Sequence, residues 1–319
     1  AGSATRATAE TAWSLGLSGS LIVLAFAWVI VRMAGPVGGR WWTATVGVMA
    51  RPSSGSFATA CGVLSMALAA AVSTGVQGRA PTSVDAMAQL LHAQALASGY
   101  LGVPLEGAPA ASILQNGIVV GERWVSIYPP LHTLLLAAGL TVGAGWLAGP
   151  LMIGVATTCL AAAAQRLLGT AVGRAAGLLL AVSPFWLLLG ATYSSHPTAA
   201  AGLCATLLAG TVARERGGFA LGIVTGVAVG FAVCARPWVG LASASVIVGA
   251  LWLPEVRDAP SRFARLAAGT AAGGLPFAGL LLGWNAKLFG HPLQLGYAAA
   301  FGPRHALGFH PDPWGHRSG

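Results

Sequence analysis

The chain has 319 residues, of which 55 % are hydrophobic and 8 % charged, with a mean hydropathy of +0.73 and a formal charge of +9. A soluble domain carries about a quarter charged residues, so that class is excluded and a multi-spanning membrane protein is expected. The positive charge does not point to nucleic acid, because the 17 basic residues, all Arg except Lys287, stand singly between apolar runs instead of forming a patch.

In chain order, apolar runs fall at 15–31, 57–76, 131–147, 151–164, 175–189, 198–213, 219–235, 239–253 and 266–284. Each approaches the length that crosses the hydrocarbon layer as helix, so about 8–10 spans are expected. The runs are apolar throughout and do not alternate, which excludes transmembrane strands. Their Gly and Ala content suits close helix packing in lipid. The expected fold is an all-α, polytopic transmembrane helical bundle forming a single integral membrane domain over 1–319. An N-terminal anchor span and loop would occupy 12–56, the core 57–300 and a polar tail 301–319. The 15–31 run is long enough to remain as an anchor. Cys61, Cys159, Cys204 and Cys234 all lie inside apolar runs and read as small buried hydrophobes.

Orientation follows from arginine asymmetry. Arg32, Arg40 and Arg51 share one loop, Arg166 and Arg174 another, Arg214 and Arg216 a third, and Arg257, Arg262 and Arg265 a fourth. With these loops in the cytoplasm, Asp85, Tyr128-Pro129-Pro130, Ser195-His196-Pro197, Arg236-Pro237 and His291-Pro292 gather on the opposite face. One parity problem remains, since either 131–147 or 151–164 must fail to span, with the break expected at Gly149-Pro150.

The outer loop 77–130 is the long hydrophilic segment of the core. Thr82 or Ser83 can cap a helix that runs to Ser98 and ends at Gly99. Asp85, Gln89 and His92 share one face of it at i, i+4 and i+7, a polar stripe expected to turn toward a cavity. Gly121-Glu122 between two β-rich runs predicts a hairpin.

Acids are scarce, eight in the chain, and a carboxylate at a membrane boundary is a functional-site hypothesis by default. Asp85 holds that position. Tyr128 to His132 and Ser195 to Pro197 open spans with Pro beside His, an arrangement read equally as helix-start punctuation or as a shared polar pocket. Arg236, after an apolar run and before Pro237, reads either as a residue snorkelling to headgroups or as a phosphate clamp. Asn285, Lys287 and His291 follow the last span. Walker, HExxH, GxSxG and Cys/His metal patterns are absent from the sequence.

Asp85, Tyr128 to His132, Ser183-Pro184, Ser195 to Pro197, Arg236-Pro237 and the Asn285 to Tyr297 stretch, with Gly290-His291-Pro292, stand in an order and spacing that resembles the GT-C glycosyltransferases. Within them, the chain is similar to bacterial relatives of protein O-mannosyltransferases and lipid A aminoarabinose transferases, over roughly residues 57–310. The resemblance implies an inner-membrane enzyme with its active face outside the cytoplasm. It would move a sugar, with inversion, from a polyprenyl-phosphate-linked donor to a glycan, lipid or protein acceptor. Asp85 would be the base, and Arg236, His132 and His196 would hold the donor phosphate. Gln89, His92, Tyr128, Asn285 and His291 would line the substrate pocket. Some members use a divalent metal near the acid, which would place it at Asp85. The family commonly shows Asp-Glu where this chain has Asp85-Ala86, and members usually continue into further membrane helices, which implies a shortened form here. A catalytically silent lipid-binding relative, or an envelope-assembly or transport protein, is the alternative expectation.

Overall fold

A computed structural model describes residues 52–105 and 116–302. The expected anchor at 15–31, Arg32, Arg40 and Arg51, and the tail beyond 302 lie outside the described residues. The described chain is mostly helical: α1 (Ser54–Gly75), α2 (Val84–Ala97), α3 (Pro130–Thr141), α4 (Ala148–Leu168), α5 (Thr170–Ala181), α6 (Pro184–Gly190), α7 (His196–Arg216), α8 (Phe219–Ala235), α9 (Pro237–Asp258), α10 (Pro260–Phe289) and α11 (Gly296–Phe301).

Among the described residues four helical segments are long and apolar enough to cross a membrane: α1, α4 with the 3-10 turn before it (Gly145–Leu168), α9 and α10. The pair α5 and α6, bent by 58°, adds a fifth if it counts as one broken span. This is fewer than the sequence suggests, for physical reasons. α3 has 12 residues, about 18 Å at 1.5 Å per residue, well short of the hydrocarbon thickness. It therefore does not cross, and Gly145–Leu168 is the complete segment of the two that parity left open. The break between them lies at 142–144, where Gly143 takes φ +70, and not at Gly149-Pro150. Pro150 sits in the first turn of α4, where it sacrifices no helical hydrogen bond. α8, at 17 residues, is also short, and α7 is the least apolar of the long helices.

Side-chain contacts fix which helix ends meet. At one end Gln165 Nε2 donates to the Ser54 carbonyl at 3.1 Å, Arg166 pairs with Glu215, and Arg262 reaches the Arg214 carbonyl and Glu255. At the other, the starts of α3 and α7 and the end of α8 are joined by His132, Thr198, His196 and Arg236. The two groups lie at opposite ends of α7, whose 21 residues span about 32 Å. Arg166, Arg214 and Arg262 thus gather at one end, away from the turns that hold His132, His196 and Arg236.

The loop between α1 and α3 folds as its sequence predicts. Ser83 caps α2 by accepting from the Ala86 amide at 3.2 Å, and Gly99 ends it at φ +84. β2 (Gly117–Val120) and β3 (Arg123–Ser126) form the hairpin, with Gly121 at φ +61 as primed turns need. The sequence did not signal β1 (Val103–Pro104), which completes a three-stranded sheet on the other edge of β3. Trp124 and Ile127 seat this sheet on Ala88 and Leu91 of α2.

α8 and α10 touch backbone to backbone. A Cβ at Gly226 would stand 2.1 Å from the Thr270 carbonyl, and one at Gly269 would stand 2.2 Å from the Phe219 carbonyl, the small-residue contact that membrane helices use. Gly226→Leu should therefore lower the unfolding midpoint in detergent by an overpacking cost of about 1–3 kcal/mol. Gly279→Leu, at an open position, should change it little. Equal midpoints for the two variants would contradict the interface.

Candidate functional site

At the Pro-bearing end, α2 begins beside the β2–β3 hairpin and the turn that opens α3. This brings Asp85, in the first turn of α2, against Asn116 and Tyr128. Asn116 Nδ2 donates to Asp85 Oδ1 at 2.7 Å, and the Tyr128 hydroxyl also bonds the carboxylate. Asn116 adopts φ +67, a left-handed conformation that Asn tolerates better than most residues, and its carbonyl accepts from the Ile127 amide. The clamp on Asp85 is thereby built into the hairpin. Tyr128 is 3 % exposed. Burial, and then the Asp85 hydrogen bond and charge, push its phenol well above the usual range, so it stays protonated and donates.

Arg236 occupies the break between α8 and α9, in an extended conformation (φ −149, ψ 92) that no helix could give it. Pro237 then starts α9. The break turns the guanidinium toward the rim, where Arg236 NH1 donates to His196 Nε2 at 2.8 Å. The Arg236 charge acts on Tyr128 and on Tyr297, and Tyr297 meets Tyr128 edge-on at 5.9 Å between ring centroids. Burial raises the Tyr297 phenol, Arg236 opposes that rise and Asp85 adds to it. α11 can carry Tyr297 this close because Gly296 lies against Ile127, where a Cβ would stand 2.3 Å from its carbonyl. Asp85, Tyr128, His196 and Arg236 are thus brought together from four parts of the chain. Asn116 and Tyr297 join them. The Asn116-Gly117 turn dipeptide was the available signal for the first; the second closes the Asn285 to Tyr297 stretch of the resemblance but was not singled out as a site residue.

Below this rim an apolar groove of ≈ 510 Å³ runs between α8, α9 and α10, with Val229, Val233, Val248, Trp252, Leu275 and Phe277 in its walls. Val233 lies on α8 three residues before Arg236, about 4.5 Å along the axis.

The remaining candidates are placed differently. His132 is 0 % exposed; Nε2 donates to the Tyr193 carbonyl at 2.8 Å and Nδ1 meets Thr198 Oγ1 at 2.7 Å. Both nitrogens are engaged, so His132 braces α3 against α7 and has no nitrogen turned to a phosphate. His92 is equally enclosed, 0 % exposed. Its Nε2 donates to the Leu101 carbonyl at 3.0 Å, Nδ1 accepts from the Ser126 amide, and its ring packs on Trp284. The polar stripe of α2 therefore turns into protein at His92 and not to a cavity. Gln89 is buried beside Asp85, donating to its backbone carbonyl at 3.2 Å. Asn285 ties the end of α10 to the Pro292 carbonyl, and exposed His291 accepts from the Leu293 amide.

The described residues do not fit a metal at Asp85. No group of three or more His, Cys, Asp or Glu side chains gathers among them, and the Asn116 amide already points a proton at Oδ1. A cation there would face that proton, so no step is derived through a metal.

Burial holds the His92 imidazole below its ordinary value, opposed by its bond to Leu101. A base depressed in the folded state contributes fully above its unfolded value of about 6.5 and loses that contribution as pH falls through the folded one. The unfolding midpoint should therefore fall between about pH 7 and pH 5, and fall less steeply in His92→Gln. Equal slopes for the two chains would contradict this assignment.

No protein-family model, curated protein or solved structure matches this chain.

Proposed function

We propose that the chain is a membrane glycosyltransferase of the GT-C type, moving a sugar from a polyprenyl-phosphate-linked donor to an acceptor hydroxyl. The observation that carries this reading is the apolar groove along α8, which stops one helical turn short of Arg236, with Asp85 across the same rim. A groove of that kind suits a hydrocarbon tail, and a guanidinium at its head suits the single phosphate of a lipid-linked sugar.

The chemistry is one displacement. The acceptor oxygen attacks the anomeric carbon from the face opposite the phosphate, and its proton passes to Asp85. The bond from anomeric carbon to phosphate oxygen breaks with its electron pair moving to the phosphate, so the configuration inverts. Charge growing on the departing lipid phosphate is offset by Arg236 with His196. Asn116 and Tyr128 hold the Asp85 carboxylate from two sides, leaving it one orientation toward the acceptor. His132 and His92 act as braces and take no part in the transfer. The arginine-bearing turns would face the cytoplasm, which puts the reaction on the extracytoplasmic side of the inner membrane.

A second reading, a polyprenyl-lipid-binding relative without transfer, draws on Ala86. This residue is fully buried against Leu136, Ala137 and Tyr193, so Asp85 stands without an adjoining carboxylate.

Transfer of radiolabelled sugar from a polyprenyl-phosphate-sugar pool in membranes separates the two readings. The native chain should transfer label, and Asp85→Asn should do so about 10²–10⁴-fold more slowly with membrane insertion unchanged. Arg236→Ala should raise the donor KM more than the acceptor KM. Lipid binding without transfer by the native chain would favour the second reading, and native turnover by Asp85→Asn would remove the assigned base.

A further inference from the structure

The hydrogen bonds around His196 have a determined direction. Arg236 can only donate, so His196 Nε2 accepts from it at 2.8 Å and the ring proton sits on Nδ1. That proton goes to Ser194 Oγ at 3.2 Å. Ser194 Oγ lies 2.8 Å from Thr192 Oγ1, and Thr192 in turn donates to the Leu189 carbonyl at 2.9 Å. Since Thr192 spends its proton on a carbonyl, Ser194 donates to Thr192. The chain therefore runs one way: Arg236, His196, Ser194, Thr192, Leu189.

Two consequences follow. As arranged, His196 is neutral, because an imidazolium has no lone pair on Nε2 and would set a second cation against the guanidinium. Protonating Nε2 nevertheless disturbs nothing behind it, since Nδ1–H, Ser194 and Thr192 keep their partners. The one contact that changes is the one with Arg236. An anion drawn to the guanidinium can supply what the protonated ring then needs, an acceptor for Nε2–H and a counter-charge between the two cations. His196 is exposed on the rim, so that position is open to a ligand. The other charged group acting on this ring is Asp85 on α2, which favours its charged form; the ring in turn acts on His132 on α3, and Tyr128 and Tyr297 stand around Asp85 and Arg236.

We propose that the Arg236–His196 pair binds a phosphodiester anion together with one proton, taken up on His196 Nε2. This rests on the lipid-phosphate reading of the site and adds its protonation state: the donor is gripped by two cations, one of which exists only while the phosphate is bound. After transfer the phosphate becomes a monoester, whose additional negative charge holds the proton until the lipid departs.

The test is calorimetric titration of the full chain in detergent with a farnesyl methyl phosphodiester. This probe carries one negative charge and does not titrate near neutral pH, so any proton change belongs to the protein. Titrations in two buffers of different ionisation enthalpy, about one pH unit above the histidine reference of about 6.5, should report uptake approaching one proton per ligand. Affinity should rise by up to about tenfold per unit fall in pH. His196→Gln, whose amide can donate but not titrate, should bind with none. Binding by the native chain without uptake, or equal uptake by His196→Gln, would overturn the proposal while leaving the lipid-phosphate site standing. Failure of the probe to bind the native chain would overturn both.

Discussion

Hydrocarbon offers no partner to a peptide group or a polar side chain, and leaving such a group unpaired there costs several kcal/mol. The placement of polar groups in this chain follows from that constraint. Inside the bundle polar side chains are largely spent on the protein itself: Thr206, Thr211 and Thr225 donate to carbonyls one turn back, and Thr157 joins Ser65 to Trp186. His132 closes both its nitrogens on α7 and the turn before it. What remains available for chemistry is confined to the helix ends, where the backbone can break and water can enter.

The breaks do the positioning. Proline begins or nearly begins α3, α6, α7, α9 and α10, and in all of these but α7, where His196 is already helical, the residue ahead of the proline is a non-helical cap. At Arg236 that turns the side chain from the helix axis to the rim. α8 is seated on α10 through glycine, and α9 meets α8 closely at its start, where a Cβ at Gly240 would stand 2.6 Å from the Ala232 carbonyl. The groove lies further along the three helices, and Val233 in its wall is three residues before Arg236.

Much of this was legible in the sequence. The gathering of Arg166, Arg214 and Arg262 at one end, the capped α2 and the Gly121-Glu122 hairpin follow from charge bias, capping and turn chemistry, which are local rules. Asp85, Tyr128, His196 and Arg236 could be singled out because each is polar at the edge of an apolar run. The same signal marked His132 and His92 and could not show that their nitrogens are closed, since that depends on Tyr193, Thr198, Leu101 and Ser126, distant in sequence. The role of Asn116 was not read for the converse reason, because a turn dipeptide does not reveal which side chain its Asn will reach through tertiary contact. Which of 131–147 and 151–164 crosses was left open because apolarity was read without helix length: 131–147 is apolar but breaks at Gly143 after a helix too short to cross.

The central claim is that a lipid phosphate sits with its tail in the α8–α9–α10 groove and its head at Arg236. Photo-crosslinking with a polyprenyl phosphate carrying a diazirine in its first isoprene units, followed by peptide mapping, tests this directly. The account predicts label on Val233 and Phe277 and their neighbours in native membranes, and loss of that label in Arg236→Ala. Label spread evenly over the lipid-facing helices, or unchanged in Arg236→Ala, would contradict it.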